Sequence, residues 1–122
     1  MRVVSLHHDV LVVTSRIWQT TCTIVRSGEE CFVIDSPILP DELEVLPTVI
    51  DHAGYSFSGL LATHADWDHM LARLAFGQAA LGVAETTAAR LAAEPGAVAR
   101  DLRDFDDEHY IDRDAPLSLG QV

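Results

Sequence analysis

Two imidazoles and two carboxylates fall within six consecutive positions of this 122-residue chain, in Thr63-His64-Ala65-Asp66-Trp67-Asp68-His69. Imidazole nitrogen and carboxylate oxygen are the donors that divalent cations of borderline and hard character take. The apolar run Gly59-Leu60-Leu61-Ala62 precedes them, and Met70, Leu71, Leu74 and Ala75 follow at helical spacing. A strand that hands such donors to the turn opening a helix can fix a metal at a sheet edge. The competing reading is capping, with Asp66 or Asp68 bonding free backbone N–H groups and His64 an ordinary loop histidine. Four donors together in a strand–turn–helix setting favour the metal.

The other polar candidates are weaker. His7 and His8 precede the first expected strand and read as a solvated terminus, and His52 lies near the end of a surface helix. His109 closes Asp104-Phe105-Asp106-Asp107-Glu108, which reads as a solvated acidic loop. Asp35 follows Val33-Ile34 at a strand end, and a turn aspartate ahead of Ser36-Pro37 is one reading of it. Trp67 reads as a packing residue over the metal loop or as a wall for substrate. No Ser-His-Asp arrangement, glycine-rich phosphate loop or Cys-x-x-Cys pair is present.

The elements that must position these groups follow from hydrophobic period. Asp9 to Thr14 reads as a strand, Trp18 to Arg26 as a second, and Cys31 to Ile34 as a third after a turn at Ser27-Gly28-Glu29. Leu43, Leu46, Val49, Ile50 and Ala53 give a helix with a kink or restart at Pro47 and a stop at Gly54. A strand over Ser58–Thr63, the donor turn, a helix from about Trp67 to Phe76 and a weak strand over Ala79–Ala84 come next. Helices are expected over Thr86–Ala93 and Val98–Phe105, then a turn and strand start over Ile111–Gly120. Strands first as a meander and then alternating with helices give an α/β (α+β) layered sheet.

Composition narrows the partners. The chain is 48% hydrophobic and carries a formal net charge of −11, from 19 acidic residues against 8 basic ones, all of them arginine. Such a surface repels polyanions, so nucleic acid is not an expected partner. The segment Met1–His8 carries no signal-like apolar stretch, and no run approaches the roughly 20 residues of a membrane span, so a cytoplasmic, membrane-free protein is expected. Pairing about the Ser27-Gly28 turn puts Cys31 near Ile24, diagonal to Cys22, and two reduced core cysteines are expected.

The motif resembles the metallo-β-lactamase superfamily signature, His-x-His-x-Asp-His, with Asp66 in place of the second histidine. The strand ends at Trp18–Cys22 and Val33-Ile34-Asp35 and the turn Asp114…Leu117…Leu119-Gly120 also fall where that family has counterparts. The resemblance implies that residues 1–122 are a single, incomplete domain, the N-terminal half of an αββα sandwich. It implies metal ligands at His64, Asp66, Asp68 and His69, with Asp68 also orienting the nucleophilic water as the catalytic residue. Asp68 is expected in the first turn of a helix, where the dipole favours a carboxylate. The same resemblance offers a second reading of Asp35, as an outer-shell residue bracing the metal loop.

The cofactor implied is one or two divalent ions, zinc by resemblance, with Asp66 shifting preference towards manganese or iron. The reaction implied is metal-activated water attacking an ester, thioester, lactone or related bond of a small-molecule substrate. A non-catalytic half-domain or assembly subunit is the alternative. In either case an unfinished sheet calls for a homo-oligomer or a partner chain to complete the fold.

Overall fold

Alternating burial builds the sheet. In Val10–Thr14 (β2), Thr21–Ser27 (β3) and Glu30–Ile34 (β4), Leu11, Val13, Cys22, Ile24, Cys31 and Val33 all turn to one buried face. In this computed structural model, which describes residues 1–119, six strands lie side by side in chain order. Arg2–His7 (β1) to β4 form an antiparallel meander, and β4, Phe57–Leu61 (β5) and Leu81–Gly82 (β6) run parallel. Parallel neighbours need crossovers. Pro40–His52 (α1) supplies the first; a 3-10 turn at Trp67–His69 and the short helix Ala72–Ala75 (α2) lie in the second. Glu85–Ala93 (α3) and Ala97–Glu108 (α4) complete the described chain.

The buried sheet face packs against Leu46 and Ile50 of α1 and against Met70 and Ala72 beyond the donor turn. A second cluster joins Ile38 and Leu43 to Leu71, Leu102, Phe105 and Leu117. The opposite sheet face, with Val12, Thr23, Phe32 and Ile34, is only half-buried. This is the layered α+β arrangement expected of the sequence, with one sheet and its helices among the described residues.

Several elements differ from their sequence signals for identifiable reasons. Arg2–His7 is an edge strand, exposed along its whole length, so no burial period marks it. The strand expected from Trp18 starts only at Thr21, because Trp18 and Gln19 adopt left-handed backbone (φ 59° and 54°). In the β3–β4 register Cys31 lies opposite Arg26 and Ile24 opposite Val33, two places from the expected pairing; both cysteines are free and buried. The helix expected over Trp67–Phe76 is instead a 3-10 turn and one short α-helical turn. Asp104–Glu108 belongs to α4, and His109 stacks on Phe105 with ring centres 4.2 Å apart. Residues 111–119 form no strand, and Gly120 of the expected terminal turn lies outside the described residues.

Helix α1 runs through Pro47 without a restart. Pro40 occupies its first turn, where the missing N–H costs nothing. Pro47, in contrast, leaves the Leu43 carbonyl without its helical donor. Replacing Pro47 with alanine is therefore expected to stabilise the fold by about 2 kcal/mol, the helix-interior penalty less the gain in unfolded-chain entropy. Urea denaturation checks this, and an unchanged or lower midpoint would contradict it.

Candidate metal centre

Two adjacent parallel strands deliver the site. The ends of β4 and β5 are in register at Ile34 and Leu61, and Asp35 N–H donates to the Leu61 carbonyl at 2.8 Å. Asp35 and Thr63 thus leave the same carboxyl-terminal sheet edge, the edge at which α/β sheets place ligands. Asp35 has φ 65°, a left-handed conformation that costs a non-glycine residue on the order of 1 kcal/mol. Its carboxylate contacts offset that strain. Oδ1 accepts from Thr63 N–H at 2.8 Å, and Thr63 Oγ1 lies 2.8 Å from Oδ2.

The same Thr63 hydroxyl meets both histidine rings. His64 Nδ1 lies 2.8 Å from Thr63 Oγ1, whose single proton is directed at Asp35. The ring must therefore donate from Nδ1, which leaves Nε2 as a free lone pair. His69 Nδ1 lies 3.2 Å from Asp35 Oδ1 and 3.3 Å from Thr63 Oγ1. Carboxylate-held imidazole with the opposite nitrogen free is the usual outer support of a histidine metal ligand. The two rings stand 4.5 Å apart centre to centre, and Asp68 Oδ2 is 3.8 Å from His69 Nε2.

Asp66 faces the other way. Its carboxylate pairs with Arg90 of α3 at 3.3 Å, and both side chains are about half exposed. It occupies the residue before the 3-10 turn but makes no side-chain cap, so the capping alternative finds no support at this position. Asp68 is the middle residue of a three-residue turn, so no extended helix dipole acts on it. Trp67 packs on Phe105 of α4 and against Trp18, tying the turn to the helical layer.

The donors of His64, Asp68 and His69 thus suit a divalent ion in type. No three ligand atoms of the motif lie within 4.8 Å of one another, so the set is not closed among the described residues. A catalytic ion generally takes three protein ligands. The Asp66–Arg90 pair is exposed, and such a pair is worth only about 0.2–1 kcal/mol. The contributions of Thr63 and Arg90 escape sequence reading. Thr63 sits among the donors without being one, and Arg90 reaches Asp66 only through the placement of α3.

The Asp35 brace gives a direct expectation. Asp35→Asn keeps a residue tolerant of the left-handed backbone and removes the charged acceptor. It should weaken zinc binding about 10–100-fold, the usual cost of losing an outer-shell partner. Competitive titration with a chromophoric chelator reads this, and unchanged affinity would remove Asp35 from the site.

No family model matches the sequence, and no curated protein matches it. Solved structures do. The fold is similar to the DIM-1 metallo-β-lactamase exposed to ceftazidime, with TM-score 0.60 and 20% identity over 75% of this chain and 46% of that one. It is similar to a metallo-β-lactamase from Hirschia baltica, with TM-score 0.58 and 21% identity over 78% and 48% of the two chains. A third, from Pontibacter korlensis, gives TM-score 0.56 and 17% identity over 76% and 47%. The match spans about half the length of those proteins. The chain carries the fold of the N-terminal part of a metallo-β-lactamase domain.

Proposed function

We propose that this chain is the metal-loop portion of a metal-dependent hydrolase acting on an ester, thioester, lactone or related bond of a small molecule. The observation that supports it most is the cluster in which Asp35 and Thr63 hold the Nδ1 sides of His64 and His69, with the Asp68 carboxylate 3.8 Å from His69 Nε2. In this reading His64, Asp68 and His69 hold one or two divalent ions, zinc before manganese or iron, and Asp66 joins them on release from Arg90. Such an ion lowers the pKa of bound water and polarises the bond under attack. Asp68 orients the attacking water and accepts its proton, while Asp35 and Thr63 fix the ring orientations. His64, Asp66, Asp68 and His69 suffice for one ion, and a second would draw its ligands from a segment or partner chain outside the described residues. We also place the protein in the cytoplasm, away from nucleic acid.

A hydrolysis panel of esters, thioesters and lactones tests this. Turnover stopped by a chelator, restored by zinc or manganese and lost in His64→Ala supports the reading. Turnover indifferent to chelator or to His64→Ala overturns it. The open donor set and the Asp66–Arg90 pair favour one alternative, a non-catalytic half-domain that assembles with a partner. Bound metal with no turnover across the panel selects that alternative.

A further inference from the structure

His7, His8 and Asp9 are consecutive at the tip of the β1–β2 hairpin, and in regular strand such neighbours point to opposite faces. A register irregularity between Ser5 and His7 breaks that alternation, as a bulge does when it re-aims a side chain. The His7 and His8 rings lie 3.9 Å apart centre to centre. Asp9 Oδ2 is 3.3 Å from His8 Nε2 and 3.9 Å from His7 Nδ1, which accepts from Asp9 N–H at 3.2 Å and exchanges that bond for the ion on binding. Two donors each about 2.0–2.1 Å from one tetrahedral zinc stand about 3.3–3.4 Å apart, so the His8–Asp9 pair already has the spacing of a shared ion and His7 lies a little wide of it. Among the described residues, no other group of three His, Cys, Asp or Glu donors falls within 4.8 Å.

The tip is also held from beneath. The buried Tyr55 donates its hydroxyl to the His8 carbonyl at 2.7 Å. Arg26, its guanidinium 4.7 Å above the Tyr55 ring, donates to the same carbonyl and to Asp9 Oδ1, each at 3.1 Å. Pinning Oδ1 leaves Oδ2 as the free donor, the way an outer partner orients a ligating carboxylate. The Arg26 charge opposes a cation here, and the chain's net −11 works in its favour. Both histidines are more than half exposed, so water fills the remaining coordination positions.

We propose that His7, His8 and Asp9 form a surface site for a divalent transition-metal ion of the imidazole-preferring class, represented by zinc or nickel, separate from the His64–His69 turn. The site stands independently of the hydrolase reading. It also means that metal found on this protein need not sit at the motif.

The test is calorimetric titration of nickel, and separately of zinc, into the full chain carrying His64→Ala and His69→Ala. One ion per chain with micromolar affinity is expected. Adding His8→Ala should weaken binding by at least about tenfold, the lower end of the cost of losing even an outer-shell partner. No binding to the motif-deleted chain, or equal binding after His8→Ala, overturns the proposal. Both tip histidines are exposed, so unchanged circular dichroism is expected and separates loss of ligand from loss of fold.

Discussion

Replacing His69 with alanine is expected to weaken metal binding at the motif by more than about 100-fold, and to remove turnover with it. Loss of an outer-shell partner alone costs about 10–100-fold, and His69 supplies a donor directly in our reading. The substitution also deprives Asp35 of its Nδ1 neighbour at 3.2 Å and Asp68 of its imidazole neighbour at 3.8 Å. His69 is partly exposed and belongs to no core cluster, so stability should change by less than about 1 kcal/mol. Zinc competition titration beside thermal denaturation reads both effects. Retained affinity would remove His69 from the ligand set.

The largest stability effect is expected at Glu42, whose side chain is only 1% exposed. Ser15 Oγ–H donates to it at 2.6 Å, Arg16 N–H at 3.0 Å and Leu39 N–H at 3.2 Å. The Met1 ammonium lies 3.7 Å away and the Arg16 guanidinium 3.9 Å. One carboxylate thereby ties the start of α1 to the loop after β2 and to the N-terminal residue. Glu42→Ala leaves those donors buried without an acceptor, which costs about 3–5 kcal/mol when one partner of a buried charged set is removed. Glu42→Gln keeps one acceptor oxygen and should cost less. Urea midpoints for the two variants check the order, and equal midpoints within error would contradict it.

Legibility in the sequence followed locality. His64, Asp66, Asp68 and His69 stand out because their donors lie within one short segment, β2 and β4 because burial alternates along them, and β5 because it opens the apolar run Gly59-Leu60-Leu61-Ala62. Asp35 is visible as a strand-end aspartate, but its contact with Thr63 and His69 depends on the parallel pairing of β4 with β5. Arg90 carries no local signal, since only the packing of α3 brings it to Asp66. Edge strand β1 is hidden because neither of its faces is buried. The helix expected after the motif fails in Ala72–Ala75 because hydrophobic spacing fits a short helical turn as well as a long helix. His7 and His8 read as a solvated terminus until the hairpin bulge and the Tyr55 and Arg26 contacts place them together.

The central claim is that the turn from His64 to His69 is a metal site on a metallo-β-lactamase fold. The most direct measurement is zinc binding by competition titration, with stoichiometry by elemental mass spectrometry, in protein carrying His7→Ala and His8→Ala to silence the hairpin tip. At least one zinc per chain is expected, lost when His64→Ala and His69→Ala are added. Binding that survives those two substitutions, or no binding before them, would contradict it.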